Sequence, residues 1–209
     1  MRGLAARMVL RYTVQTGEEG FSLGRATYTW TSGDGRYRLE SVAEASGLIS
    51  LFVSGRIVQT SEGRLTTAGL QPERFTQTRG EKRQDSARFD WEAGRILMNG
   101  TEAPLPIQAQ DTLSFPFQLA MNVREGDEEW RLAVTNGRRL NEYAFLVVGR
   151  ERVELGQDAV DALHVKGARS GEGSLDVWLA PSRQWLPVRI RTLDTKGKIV
   201  TLNLEETGG

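Results

Sequence analysis

The sequence predicts a mainly β fold: one strongly curved antiparallel sheet or incomplete barrel of about a dozen strands, with one or two short helices. Three observations carry this prediction. Apolar residues alternate with polar ones along most of the chain. Turn signals recur every eight to twelve residues. A hairpin signature running from proline through arginine to a glycine turn occurs twice, about a hundred residues apart.

In chain order, Tyr37, Leu39 and Ser41 alternate with Arg38 and Glu40, and Phe89 and Trp91 with Arg88, Asp90 and Glu92. Leu175, Val177 and Leu179 alternate with Ser174 and Asp176, Val188 and Ile190 with Arg189 and Arg191, and Val200, Leu202 and Leu204 with Thr201 and Asn203. Each run has one apolar and one wet face, as antiparallel strands covering a single core do. Tyr143 to Val148 is apolar on both faces and reads as a doubly covered strand. Gly33-Asp34-Gly35, Asn99-Gly100 and Asn136-Gly137 are among the turns, and Asn-Gly suits a type I′ hairpin.

The duplicated signature is Pro72-Glu73-Arg74 before the turn at Gly80, and Pro187-Val188-Arg189 before the turn at Gly197. Proline fixes φ and lacks a donor, so each copy reads as a strand opened by proline or lying on an edge. Two segments break the alternation. Ser46 to Val53 has helical spacing over one turn, and Asp111 to Met121 offers an N-cap aspartate and a helix beginning near Pro116. Ala103 to Ile107 is an extended connector. The organisation is one β-rich domain over 1–209, with similar halves at about 9–100 and 125–205 joined by the connector and the short helix.

Composition excludes several classes. Lys+Arg 27 against Asp+Glu 27 leaves no basic field for nucleic acid. No cysteine occurs, which rules out disulfides, thiolate metal sites and cysteine nucleophiles. No apolar run approaches the ~18 residues of a membrane span. Met1 to Met8 contains no apolar core of the kind an export signal uses, and composition leaves cytosol and periplasm both open.

Catalytic constellations are absent: no Gly-x-Ser-x-Gly elbow, phosphate loop or dinucleotide fingerprint. His164, the single histidine, has Leu163 and Val165 on the core face beside it and is expected to point outward or lie at a rim. The acidic groups Glu18-Glu19, Asp127-Glu128-Glu129 and Glu205-Glu206 read as solvated charge. Arg74 and Arg189 could form a symmetric anion site, but alternation assigns both to the wet face. The five tryptophans and the phenylalanines near the irregular segments suggest an apolar lining made by Phe52, Leu113, Phe115, Phe117, Met121 and Trp178.

The succession Gly24-Arg25-Ala26-Thr27, Gly35-Arg36-Tyr37-Arg38-Leu39, Gly47-Leu48-Ile49-Ser50-Leu51-Phe52 and Gly69-Leu70-Gln71-Pro72-Glu73-Arg74-Phe75 resembles a bacterial family known as domain of unknown function 3108. Arg88-Phe89-Asp90-Trp91, Gln110-Asp111-Thr112-Leu113-Ser114, Asp161-Ala162-Leu163-His164-Val165, Val177-Trp178-Leu179-Ala180 and Leu186-Pro187-Val188-Arg189-Ile190 extend it from about Val9 to Leu204. The resemblance implies an exported, β-rich periplasmic protein of Gram-negative bacteria with no established catalytic residues. Its general shape is similar to the curved sheets of envelope lipoprotein carriers.

The expected function is a non-enzymatic envelope protein binding an apolar, lipid-like ligand in the curved sheet, without a cofactor. The alternative is an interaction module working through sheet edges, with an envelope protein as partner. A carboxylate-based hydrolase is the third reading.

Overall fold

The computed structural model describes residues 2–17, 20–45, 56–80, 83–169 and 173–208, without the side chain of Arg83. Strands β1 (Arg7–Thr16), β2 (Phe21–Gly33), β3 (Arg36–Ala45), β4 (Ile57–Thr66), β5 (Gly69–Arg79), β6 (Arg83–Asp90), β7 (Arg95–Met98), β8 (Thr101–Pro104) and β9 (Gln110–Asp111) come first. Helix α1 (Phe115–Asn122) follows, then β10 (Glu129–Thr135), β11 (Leu140–Leu155), β12 (Asp158–Ala168), β13 (Ser174–Ala180), β14 (Leu186–Leu193) and β15 (Ile199–Gly208). The count exceeds a dozen because β7, β8 and β9, with 4, 4 and 2 residues, are too short to show alternation. The expected helical turn over Ser46 to Val53, and Phe52 with it, lies outside the described residues.

All fifteen strands form one sheet in the order β8-β7-β6-β5-β4-β3-β2-β1-β15-β14-β13-β12-β11-β10-β9. Among the described residues, successive strands are neighbours except β8 and β9, which lie at the sheet's two ends, while β1 and β15 pair and so join the two ends of the chain at the sheet's centre. The pairing is antiparallel except for β9 on β10. Hairpin turns follow their sequences: Asp34 with Gly35, and Asn99 with Gly100, take positive φ, as a type I′ turn requires.

The two prolines correct the sequence reading. Both lie inside interior strands, and each sits at a β-bulge. Glu62 pairs Arg74 while Gly63 pairs Pro72, which leaves Glu73 as the extra residue. Trp178 pairs Arg189 while Leu179 pairs Pro187, which leaves Val188 extra. On the far side the β5·β6 and β14·β15 ladders run from Arg74 and Arg189 and do not include the prolines. Each proline therefore sits where no ladder donor is needed. Each carbonyl is instead taken by an aromatic side chain: Trp91 Nε1 donates to Pro72 O at 2.6 Å, and Tyr12 Oη to Pro187 O at 2.8 Å. Gly63 is required opposite the first bulge, since a Cβ there would collide with the Gln71 carbonyl.

Bulges bend a sheet, and this one curls until its two ends meet. Arg138, in the turn between β10 and β11, forms a 2.8 Å ion pair with buried Asp85 of β6. Asn99 donates to the same carboxylate at 3.0 Å, and Thr135 Oγ1 lies 3.2 Å from Met98 Sδ.

Within the curl lies α1, with every residue from Phe115 to Met121 buried. A helix apolar on all sides must be enclosed on all sides. Leu113, Phe117 and Met121 pack into a cluster with Tyr12, Trp30 and Tyr37, and Phe115, Leu119 and Val123 into a second with Phe145, Val165 and Val177. Phe117 stacks on Trp30 at 5.9 Å, which in turn stacks on Tyr37 at 5.5 Å. Tyr143 to Val148 is not doubly covered. Only Phe145 is buried there, while Leu146 and Val148 are exposed, because β11 lies near the sheet's end and no described element covers its outer face.

Candidate functional site

The residues expected to line an apolar cavity occupy its place. Leu113, Phe115, Phe117 and Met121 are at most 2 % exposed and fill the space between α1 and the sheet. Polar bonds fasten that filling. Asp111 Oδ1 accepts from the amides of Leu113 at 2.9 Å and Ser114 at 2.8 Å, while Oδ2 accepts from Ser61 Oγ at 2.6 Å. Burial pushes the Asp111 carboxyl up to about 6 against these bonds. Gln118 accepts from Leu70 N at 2.7 Å and donates to Ala68 O at 2.9 Å. At the helix's other end Arg2 donates to Ala120 O and Val123 O, its guanidinium 3.7 Å from the centre of the Trp185 ring.

Trp178 belongs to the same buried cluster as Leu113, Phe117 and Met121 but stands on β13, where it reveals the setting of His164. Alternation does turn His164 away from the Leu163 and Val165 face, yet the residue is only 9 % exposed. Trp178, directly opposite it on β13, stacks on it at 4.2 Å. Glu151 of β11 bonds both: Oε1 lies 2.9 Å from His164 Nδ1, and Oε2 accepts from Trp178 Nε1 at 2.7 Å. The Trp178 bond, helped by His164, holds the Glu151 carboxyl below the usual range. An ionised carboxylate only accepts, so Nδ1 carries a proton. The other nitrogen, Nε2, lies 3.9 Å from Asp176 Oδ2 and has no hydrogen-bond partner. Burial raises the Asp176 carboxyl.

With its two nitrogens facing different carboxylates, the ring cannot gather them on one metal ion. Neither ring nitrogen is hydrogen-bonded to a hydroxyl among the described residues. Among the described residues no three such side chains are placed to hold a metal. The cluster is a clamp across β11, β12 and β13.

The two signature arginines form no joint site, because five strands separate β5 from β14. Arg189 donates to Asn203 Oδ1 at 2.6 Å and to Glu154 O at 3.0 Å. Arg74 is exposed.

Sequence reading overlooked the free edge of β10. Its seven residues all pair with β11, but on the other side β9 covers only Val134 and Thr135. The connector turns away before that point: Gln108 takes φ 61, and Ala109 N closes a turn onto Pro106 O at 3.2 Å. Thr112 N donates to Thr135 O, so the Thr135 backbone faces the β9 side. Alternation then turns the N–H and C=O groups of Arg131 and Glu129 to that same side, where no strand of the described residues lies. Beside this edge is a groove of about 350 Å³. Cross-strand neighbours Ala144 and Ala168, with Ala133, keep it shallow, and Pro106 and Ile107 border it. Ile107 is 89 % exposed. The signal was present in the alternation of Trp130, Leu132 and Val134, but the acidic run before it was read only as solvated charge.

Residues 11–205 match the model of a family described as protein of unknown function, DUF3108. The chain belongs to the DUF3108 family. No curated relative matches this DUF3108 chain. Among solved structures, one described as an outer membrane lipoprotein-sorting protein domain from Vibrio parahaemolyticus aligns at 8% identity. The alignment covers 97% of this chain and 85% of that chain, with a TM-score of 0.31. No helix among the described residues of the DUF3108 chain is long and apolar enough to cross a membrane.

Proposed function

We propose that this DUF3108 chain is a non-enzymatic binding protein of the bacterial envelope that takes an extended segment of a partner protein onto the free edge of β10. The observation carrying this reading is the column beside β10, which among the described residues β9 fills for two residues and no strand fills alongside Glu129 to Ala133. Unpaired strand N–H and C=O groups are satisfied by another extended backbone, and side chains of alternate residues then supply specificity. The shallow alanine-floored groove suits a small apolar side chain of the incoming strand. An apolar ligand inside the curl, by contrast, requires α1 to leave, since Phe115, Phe117, Leu119 and Met121 already fill that space. The envelope as compartment rests on the family resemblance.

The test is selection of displayed random heptapeptides on the full chain, followed by amide exchange on the complexes. Protection of the Glu129 and Arg131 amides, with binding lost in Arg131→Pro, is the expected result. Proline there removes an outward donor and leaves the β11 ladder intact. Binders that protect neither amide, or that bind the Arg131→Pro variant equally well, would overturn the reading.

A further inference from the structure

The duplicated bulge provides an internal comparison. In the second copy Arg189 is engaged by Asn203 Oδ1 and the Glu154 carbonyl, over the Trp178 ring. In the first copy Arg74 lies opposite Arg88 on β6, and neither makes a hydrogen bond or ion pair among the described residues. Two like charges facing each other across neighbouring strands disfavour the fold unless something neutralises them.

The surrounding carboxylates do not. Glu62, the other cross-strand neighbour of Arg74, is engaged by Arg38 at 2.9 Å. Glu73, the bulged residue, is engaged by Arg36 and Arg64, which hold its carboxyl below the usual range. In the row Arg38, Glu62, Arg74 and Arg88 the one carboxylate is bonded by Arg38, which also pairs with Glu40 at 3.2 Å, and so it leaves Arg74 and Arg88 facing each other. Asp90 accepts from the Ala93 amide in the turn after β6, and Glu92 lies on that same turn. These groups line a cleft of about 500 Å³. One wall is the Trp91 ring, stacked on Phe89 at 6.0 Å and pinned to Pro72 O.

We propose that this cleft binds a phosphate group through Arg74 and Arg88. A carboxylate has oxygens for one guanidinium fork. A phosphate has enough for two, and carries the charge to neutralise both. Asp90 and Glu92 repel it from the turn side and hold it toward β5.

The test titrates inorganic phosphate into the full chain at low ionic strength, followed by NMR and calorimetry. Vesicles of phosphatidylglycerol and of phosphatidylcholine are run in parallel. Saturable binding is expected, weakened roughly tenfold or more in Arg74→Gln and in Arg88→Gln, and unchanged in Arg189→Gln. Circular dichroism melts confirm that each variant is folded. Binding of free phosphate alone assigns a soluble phosphate ester. Arg74-dependent binding of phosphatidylglycerol vesicles assigns a lipid headgroup. No binding of either probe, or binding that survives in Arg74→Gln/Arg88→Gln, overturns the proposal.

Discussion

Ser61 on β4 and Asp111 on β9, fifty residues apart, share a buried 2.6 Å hydrogen bond that ties the first half of the sheet to the start of α1. The Tyr37 hydroxyl lies 3.0 Å from the same serine oxygen. Because Ser61 spends its one proton on the carboxylate, Tyr37 is the donor in that contact.

This carboxylate makes stability depend on pH. Desolvation raises its folded value from 3.8 to about 6. A raised value means that the folded state binds the proton more tightly. Its contribution is then complete below 3.8 and is lost as pH rises through about 6. Urea denaturation of wild type and Asp111→Asn at pH 3.5 and pH 7 checks this. The wild type should lose on the order of 3 kcal/mol relative to the variant over that window. A difference independent of pH would refute it.

The bulge opposite Gly63 predicts a steric cost. Gly63→Ala should destabilise by roughly 1–3 kcal/mol, because its Cβ meets backbone that cannot move without shifting the bulge. Gly33→Ala, with open space around it, should stay within about 0.5 kcal/mol of wild type. Urea midpoints compare the two, and equal midpoints would show that the bulge tolerates a side chain.

Gln118 holds α1 in place through two backbone groups of the turn before β5 and of β5 itself. Gln118→Leu keeps the volume but strands a buried amide and a carbonyl, at a cost of about 2 kcal/mol or more. Hydrogen exchange at the Leu70 amide should accelerate. Unchanged exchange there would mean that packing alone seats the helix.

The clamp on His164 has a spectroscopic signature. In Glu151→Ala the indole proton of Trp178, assigned by its disappearance in Trp178→Phe, should move upfield as it loses its acceptor. Glu151 has a lowered folded value, so its contribution is present above the ordinary glutamate pKa and is lost only as pH falls through that lowered value. An indole shift that is unchanged in Glu151→Ala would contradict this assignment.

Much of the sheet is legible in the residues. The alternation of Tyr37, Leu39 and Ser41 is borne out by burial of all three, and Asn99-Gly100 forms its turn. Helix α1 begins near Pro116, as read. The prolines were misread because a bulge and a strand start look alike along one chain, and only the partner's register separates them. His164 was assigned to the outside by a rule that sees its own strand. Its cover comes from Trp178 on the next one.

The sequence by itself determined the strand pattern, the turns, the apolar helix α1 and the absence of cysteine chemistry, because these depend on residues a few positions apart. Tertiary structure alone decided that α1 fills the curl, that Arg189 is satisfied while Arg74 is not, and that β10 has a free edge. The reason is that each of these depends on which strands become neighbours. That choice is set by how far bulges and twist curl the sheet, and no local spacing records it.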